Sequence, residues 1–169
     1  MNKLILPLAF ASSLLVAFAS SLLAPPAAHA QFGALKVATA HAVARPSAIP
    51  RGSTGVLTVT LSVGAKYHIN ANKPNDPAYI ATVFTPQPAP GIQFGAARYP
   101  TPKLMKLSYS PKPLLVYTGL VTVSVPFRVT PAAKPGMVPL SGTMSFQGCD
   151  AKSCFPPAAA PVKAVIAVK

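Results

Sequence analysis

The sequence predicts an all-β chain folded as an immunoglobulin-like, two-sheet antiparallel sandwich, and three observations carry that prediction. Proline is the first: 18 of the 21 prolines lie beyond residue 30, spaced so that few windows hold a helix longer than three turns, whereas short strands ended by turns tolerate such spacing. The second is a set of segments that alternate apolar and polar residues with period two. The third is the regular recurrence of turn signals between them, which favours seven or eight short strands over a few long ones.

In chain order, residues 1–30 read as a secretory leader. Lys3 gives a positive start, an apolar run follows from Leu4 to Leu23, and Ala28-His29-Ala30 makes a small-x-small cleavage signal, so the mature protein is expected to begin at Gln31. The rival reading is an uncleaved anchor, since the run is long enough to span a bilayer. Pro7 and four serines dilute it, however, and no basic cluster follows before Lys36. Residues 31–169 are then one exported domain that does not span the membrane, and no second hydrophobic stretch of membrane length exists.

Within that domain, a weaker strand is expected at Leu35 to Val43, then a turn at Arg51-Gly52-Ser53. Leu57, Val59, Leu61 and Val63 alternate with Thr58, Thr60 and Ser62, a half-buried strand. Weaker strands follow at Tyr67 to Ala71, Tyr79 to Thr85 and Gly91 to Tyr99, separated by turns at residues 73–77 and 86–90. Val121 to Val129 alternates strictly, with Pro126 marking an edge or a bulge. After a turn at residues 131–136, Val138, Leu140, Met144 and Phe146 share one parity and lead directly into Cys149. Residues 156–161 form an extended Pro- and Ala-rich connector, and Val162 to Val168 is the terminal strand.

Charge excludes several chemistries. Beyond residue 30 there are 14 Lys and Arg against Asp76 and Asp150, a formal charge of +12 with no glutamate. Two acids rule out paired-carboxylate catalysis, and no nucleophile-base-acid triad, phosphate loop or dinucleotide fingerprint is present. The excess favours acidic partners or an anionic surface. Nucleic acid is disfavoured by the leader and by the lack of a basic helix. The densest basic stretch, residues 98–112, reads either as a docking surface or lid or as a solvated loop.

Cys149 and Cys154 are the only cysteines. An isolated pair in an exported chain is read as a disulfide more readily than as a metal site, because zinc would need two further ligands. Whether it staples or reacts is a separate question. A ring of six residues stabilises by only about 2 kcal/mol on the chain-entropy formula, which makes it a weak staple. Copper or another soft metal held by the cysteines with His68 or Met144 is a third reading; no cofactor is otherwise expected. In the exchange reading the attacking species is a thiolate, which Lys152 favours and Asp150 opposes. His68 is a candidate proton carrier or a packed strand histidine. Asn70 and Gln147 are expected to be structural hydrogen-bonding groups, and Phe146 and Phe155 to shield the sulfurs or anchor the loop.

Three segments together resemble one known family: Lys66-Tyr67-His68-Ile69-Asn70-Ala71-Asn72-Lys73-Pro74, Pro113-Leu114-Leu115-Val116-Tyr117-Thr118-Gly119, and Ser145-Phe146-Gln147-Gly148-Cys149 through Cys154-Phe155-Pro156-Pro157. They are similar to the amino-terminal periplasmic domain of the thiol:disulfide interchange protein DsbD over roughly residues 34–168, here without a fused membrane carrier or thioredoxin-like domain. The resemblance implies an immunoglobulin-type sandwich whose cysteine pair passes electrons between thioredoxin-like periplasmic proteins and a separate membrane electron carrier. It implies that Cys154 forms the mixed disulfides, that Cys149 resolves them, and that Tyr67, His68 and Asn70 flank the sulfurs. A monomer is expected. Four residues separate the cysteines where the best-known member has five, and the acidic-aromatic lid of that member has no counterpart here. Tyr99, Met105, Tyr109 and basic residues stand in that region instead. The alternative function is a disulfide-stapled binding or assembly module without redox turnover.

Overall fold

The computed structural model describes residues 37–169, so the leader and its cleavage site lie outside the described residues. Alternation decides the long strands. In β3 (Thr54–Val63) the side chains of Leu57, Val59 and Leu61 are fully buried while their neighbours face outward. The same pattern builds β9 (Leu120–Val129), β10 (Gly136–Phe146) and β12 (Ala158–Val168). Because side chains alternate across a strand, one face of each enters the core and the other meets solvent.

Twelve strands form among the described residues, in three four-stranded sheets. The first runs β1 (Ala38–Arg45), β3, β9, β6 (Ile92–Phe94), all antiparallel. The second runs β2 (Ala48–Ile49), β12, β10, β5 (Val83–Pro86), antiparallel except where β2 joins β12. Leu57, Val59, Leu61, Val123 and Phe127 of the first sheet share one core with Leu140, Met144, Phe146, Val162 and Ile166 of the second, which makes the immunoglobulin-like sandwich. The third sheet runs β11 (Gly148–Cys149), β4 (His68–Asn70), β8 (Leu114–Tyr117), β7 (Lys103–Met105). It carries the cysteine pair, and β10 feeds it through Gln147. Among the described residues no helix is long and apolar enough to cross a membrane.

The structure corrects several sequence expectations. Residues 79–82 are not strand, because their backbone bonds elsewhere: Ile80 O accepts from Asn70 Nδ2, Ile80 N–H donates to Gln147 Oε1, and Thr82 N–H donates to Ala71 O. The connector after Cys154 becomes strand from Ala158, with Pro161 opposite Thr143. Pro126 lies on an interior strand. A residue's N and C=O point to the same side of a strand, and Pro126 O accepts from Gly95 N–H at 2.8 Å, just past the end of β6. Its missing donor therefore faces a place where the neighbouring strand has stopped, and the β3 ladder stays whole.

The 98–112 stretch contains β7 and is packed, not merely solvated. Leu107, Leu114 and Val116 form a small second core, with Tyr79, Met105 and Tyr109 packed against it. Asn75 fixes this corner: its amide donates to Pro113 O at 2.9 Å and its side-chain oxygen accepts from Leu115 N–H at 2.9 Å. Tyr99 sits at the other end of the stretch, where its hydroxyl accepts from Phe84 N–H at 2.8 Å.

Candidate functional site

A tight hairpin holds the cysteines. Cys149 and Cys154 face each other as an antiparallel pair, their Cα atoms 3.9 Å apart, and are joined by a disulfide. The bridge is flanked by two backbone hydrogen bonds, Phe155 N–H to Gly148 O at 2.8 Å and Asp150 N–H to Ser153 O at 2.9 Å. The turn between them is set by Asp150, whose Oδ1 accepts from the N–H groups of Lys152 at 2.7 Å and Ser153 at 2.9 Å. An aspartate side chain that mimics a backbone turn in this way is a common solution for short loops. The same two donors hold the Asp150 carboxyl below its ordinary pKa of 3.8. Lys152 is exposed.

On the other side, β11 pairs with β4, so that Cys149 lies opposite His68 and Gly148 opposite Ile69. Gly148 must be a glycine, because a Cβ there would run into Val37. Gln147, at the corner between β10 and β11, joins three segments. Its Oε1 accepts from Asn70 Nδ2 at 3.1 Å and Ile80 N–H at 3.3 Å, and its Nε2 donates to Phe155 O at 3.2 Å. Tyr67 and Phe155 meet edge to face at 5.8 Å. Phe146 is buried in the sandwich core and Met144 with it.

The two sulfurs have unequal surroundings. Cys149 is fully buried, whereas Cys154 is half-buried. The hydroxyl of Tyr109 lies 3.7 Å from Cys154 Sγ and 2.8 Å from His68 Nε2. The rings of His68 and Tyr109 are parallel within 7° with centroids 6.4 Å apart. Ser108 Oγ donates to Ala151 O at 2.8 Å, tying this segment to the cysteine turn. Burial lowers the His68 pKa below 6.5, opposed in part by the Asp150 carboxylate. The Tyr109 hydroxyl is pushed up to about 12, by burial first and then by Tyr79 and Asp150, so it stays protonated at neutral pH and acts as a donor.

Tyr67, His68, Asn70, Gln147 and Phe155 thus converge on the hairpin, while Phe146 and Met144 belong to the core. Sequence reasoning missed Tyr109 as a site residue, although it had placed it in the basic stretch. It also missed Ser108, Tyr79 and Asn75. No local signal links Tyr109 to partners 41 and 45 residues away. No group of three or more His, Cys, Asp or Glu that could hold a metal occurs among the described residues.

Comparison with known structures finds similarity to the amino-terminal domain of DsbD from Neisseria meningitidis in its reduced form, at 18% identity over 63% of this chain and 74% of that one, with a TM-score of 0.42. A type I cohesin, the seventh of ScaB from Pseudobacteroides cellulosolvens, is similar at 11% identity over 78% of this chain and 92% of that one, with a TM-score of 0.46. No curated protein matches the chain. The family model described as thiol:disulfide interchange protein DsbD, N-terminal, matches residues 35–165. On that match, which spans the sandwich and the cysteine hairpin alike, the chain belongs to the family of DsbD amino-terminal domains.

Proposed function

We propose that residues 31–169 form a periplasmic exchange domain that passes two electrons between a membrane electron carrier and thioredoxin-like proteins through Cys149 and Cys154, after removal of a leader at residues 1–30. One observation carries the proposal: the hairpin is braced by hydrogen bonds that do not involve sulfur. Hydrogen bonds flank the pair on both sides, Asp150 sets the turn, and Gln147 ties the hairpin to β4 and residue 80. A six-residue ring added to these ties contributes little as a staple, which supports a bridge that opens and closes.

The burial difference supports the division of roles. A thiolate attacks a disulfide sulfur that it can reach, forming a new S–S bond while the other sulfur leaves with the electron pair. Cys154 is the sulfur within reach, and Cys149 the buried leaving group that later resolves the mixed disulfide. Half-burial under Tyr109 limits which thiols approach, since a partner must displace or slide past the ring.

Equilibrating the purified domain in graded dithiol/disulfide buffers and counting free thiols tests this reading. An exchange site opens at potentials above about −300 mV, whereas a bridge that stays closed below that value identifies a structural staple and a binding module.

A further inference from the structure

We infer that Tyr109 and His68 form a proton relay for Cys154, with the Tyr109 hydroxyl exchanging a proton directly with Sγ and His68 holding the far end. The inference rests on the exchange reading above. Three atoms from three separate segments line up, Cys154 Sγ, Tyr109 Oη and His68 Nε2, at 3.7 and 2.8 Å. A sulfur in a disulfide has no hydrogen to give, so in this state the hydroxyl is the only possible donor of the longer contact. The 2.8 Å bond between the hydroxyl and His68 Nε2 runs in either direction, according to the imidazole tautomer. In the reduced form, with a proton on Sγ and Nε2 unprotonated, each member can donate to the next, Sγ to Oη and Oη to Nε2. The stacked rings and the Ser108 bond to Ala151 hold the relay over the sulfur.

Other charged and titratable groups face this line from each neighbouring element. Asp150 reaches both His68 and Tyr109 from the cysteine turn, Tyr79 faces Tyr109, and Lys66 and Tyr67 border the groove beside His68. Lys152 is exposed on the turn. Burial keeps His68 neutral near pH 7, so a ring nitrogen is free to take a proton, and the Asp150 carboxylate, together with the thiolate formed, favours the resulting imidazolium.

In the reduced domain, Cys154 passes its proton to Tyr109 Oη while the tyrosine's own proton moves to His68 Nε2. The products are a thiolate and an imidazolium, with net charge unchanged. The thiolate attacks a partner disulfide; a new S–S bond forms, the partner's breaks, and the leaving sulfur departs with the electron pair and takes a proton from solvent. Cys149 then loses its proton to solvent and attacks Cys154 Sγ. The bridge closes, and the second partner sulfur leaves with its electron pair and receives the proton stored on His68 through Tyr109. Two electrons and two protons have moved to the partner.

The test is the pH profile of Cys154 alkylation by iodoacetamide in the dithiothreitol-reduced domain, read at that residue by peptide mass spectrometry. Tyr109→Phe and His68→Gln should each move the midpoint upward by about one pH unit, with the alkaline plateau unchanged, and the double variant should move it no further. Unmoved midpoints or additive shifts overturn the relay. So does a raised rate at every pH with the midpoint in place, which means that Tyr109 only screens the sulfur. If the variants fail to fold, NMR titration of His68 in the unaltered domain decides. An inflection shared with Cys154 in the reduced form supports the relay, and identical curves in both redox forms overturn it. A bridge that dithiothreitol cannot open overturns the exchange reading and the relay together, whereas an opened bridge with a normal profile overturns the relay alone.

Discussion

Burial separates two cysteines to which the family resemblance assigns different roles. Cys149 is fully buried opposite His68 of β4, and Cys154 is half-buried. Removing the enclosed thiol should leave any mixed disulfide at Cys154 without a resolving neighbour. Cys149→Ser is therefore expected to accumulate covalent complexes with thioredoxin-like proteins in periplasmic extracts, and Cys154→Ser is not. Equal trapping by both, read on non-reducing gels, would reverse or cancel the assignment of roles. His68 supplies a second prediction at this scale. Its pKa is lowered from 6.5 on folding, so the unfolded chain binds more protons just below that value. Its contribution to stability is present above pH 6.5 and is lost as pH falls from there through the folded value. The Asp150 carboxyl acts in a separate, lower window, below 3.8. Thermal unfolding should accordingly weaken on acidification below about pH 6.5, and His68→Gln should flatten that slope while leaving the acid limb near pH 3 in place.

At the scale of elements, the hairpin from Gly148 to Phe155 is built by hydrogen bonds that do not depend on sulfur. The ring it closes is worth about 2 kcal/mol in chain entropy. The Cys149→Ser, Cys154→Ser double variant should still unfold cooperatively, with a modestly lower midpoint, and outright loss of folding would identify the bridge as a staple. Element length also explains what was legible in the sequence. Strands β3, β9, β10 and β12 each run ten or eleven residues, long enough for period-two alternation to stand out and for one face to fill the sandwich core. Strands β7 and β8 are three and four residues long. The first lay hidden in a run of lysines and prolines, and the second appeared only within a family-like segment. At the site, the place of His68 and Asn70 beside the cysteines came only from the family resemblance, whereas the cysteines themselves were legible as an isolated pair in the sequence. Tyr109 was not, because its place beside His68 and Cys154 depends on how distant loops pack, which periodicity does not encode.

The whole molecule carries 15 Lys and Arg against two acids. A field of one sign steers oppositely charged proteins toward a surface and is screened by salt over about 8–10 Å at physiological ionic strength. Reduction of the domain by an acidic thioredoxin-like protein should slow markedly between low and high salt, while reduction by dithiothreitol, which attacks as a small thiolate with a single charge, should change far less. Stopped-flow rates for the two reagents, measured side by side, check this; parallel salt dependence would mean that charge plays no part in the encounter. The division of the fold into a long-stranded sandwich and a short-stranded third sheet bears on motion as well. The 105–109 segment packs on the small cluster of Leu107, Leu114 and Val116, whereas Ile69 of β4 and Tyr117 of β8 belong to the larger core with Leu57, Val59, Phe127 and Ile166, so the Tyr109 side of this corner is expected to open while the larger core stays closed. Amide hydrogens of β7 and of residues 105–112 are then expected to exchange with deuterium ahead of those in β3 and β9, in two tiers. On that expectation the sulfurs sit beside the segment that breathes first, and loosening the Tyr109 latch alone widens the approach to Cys154.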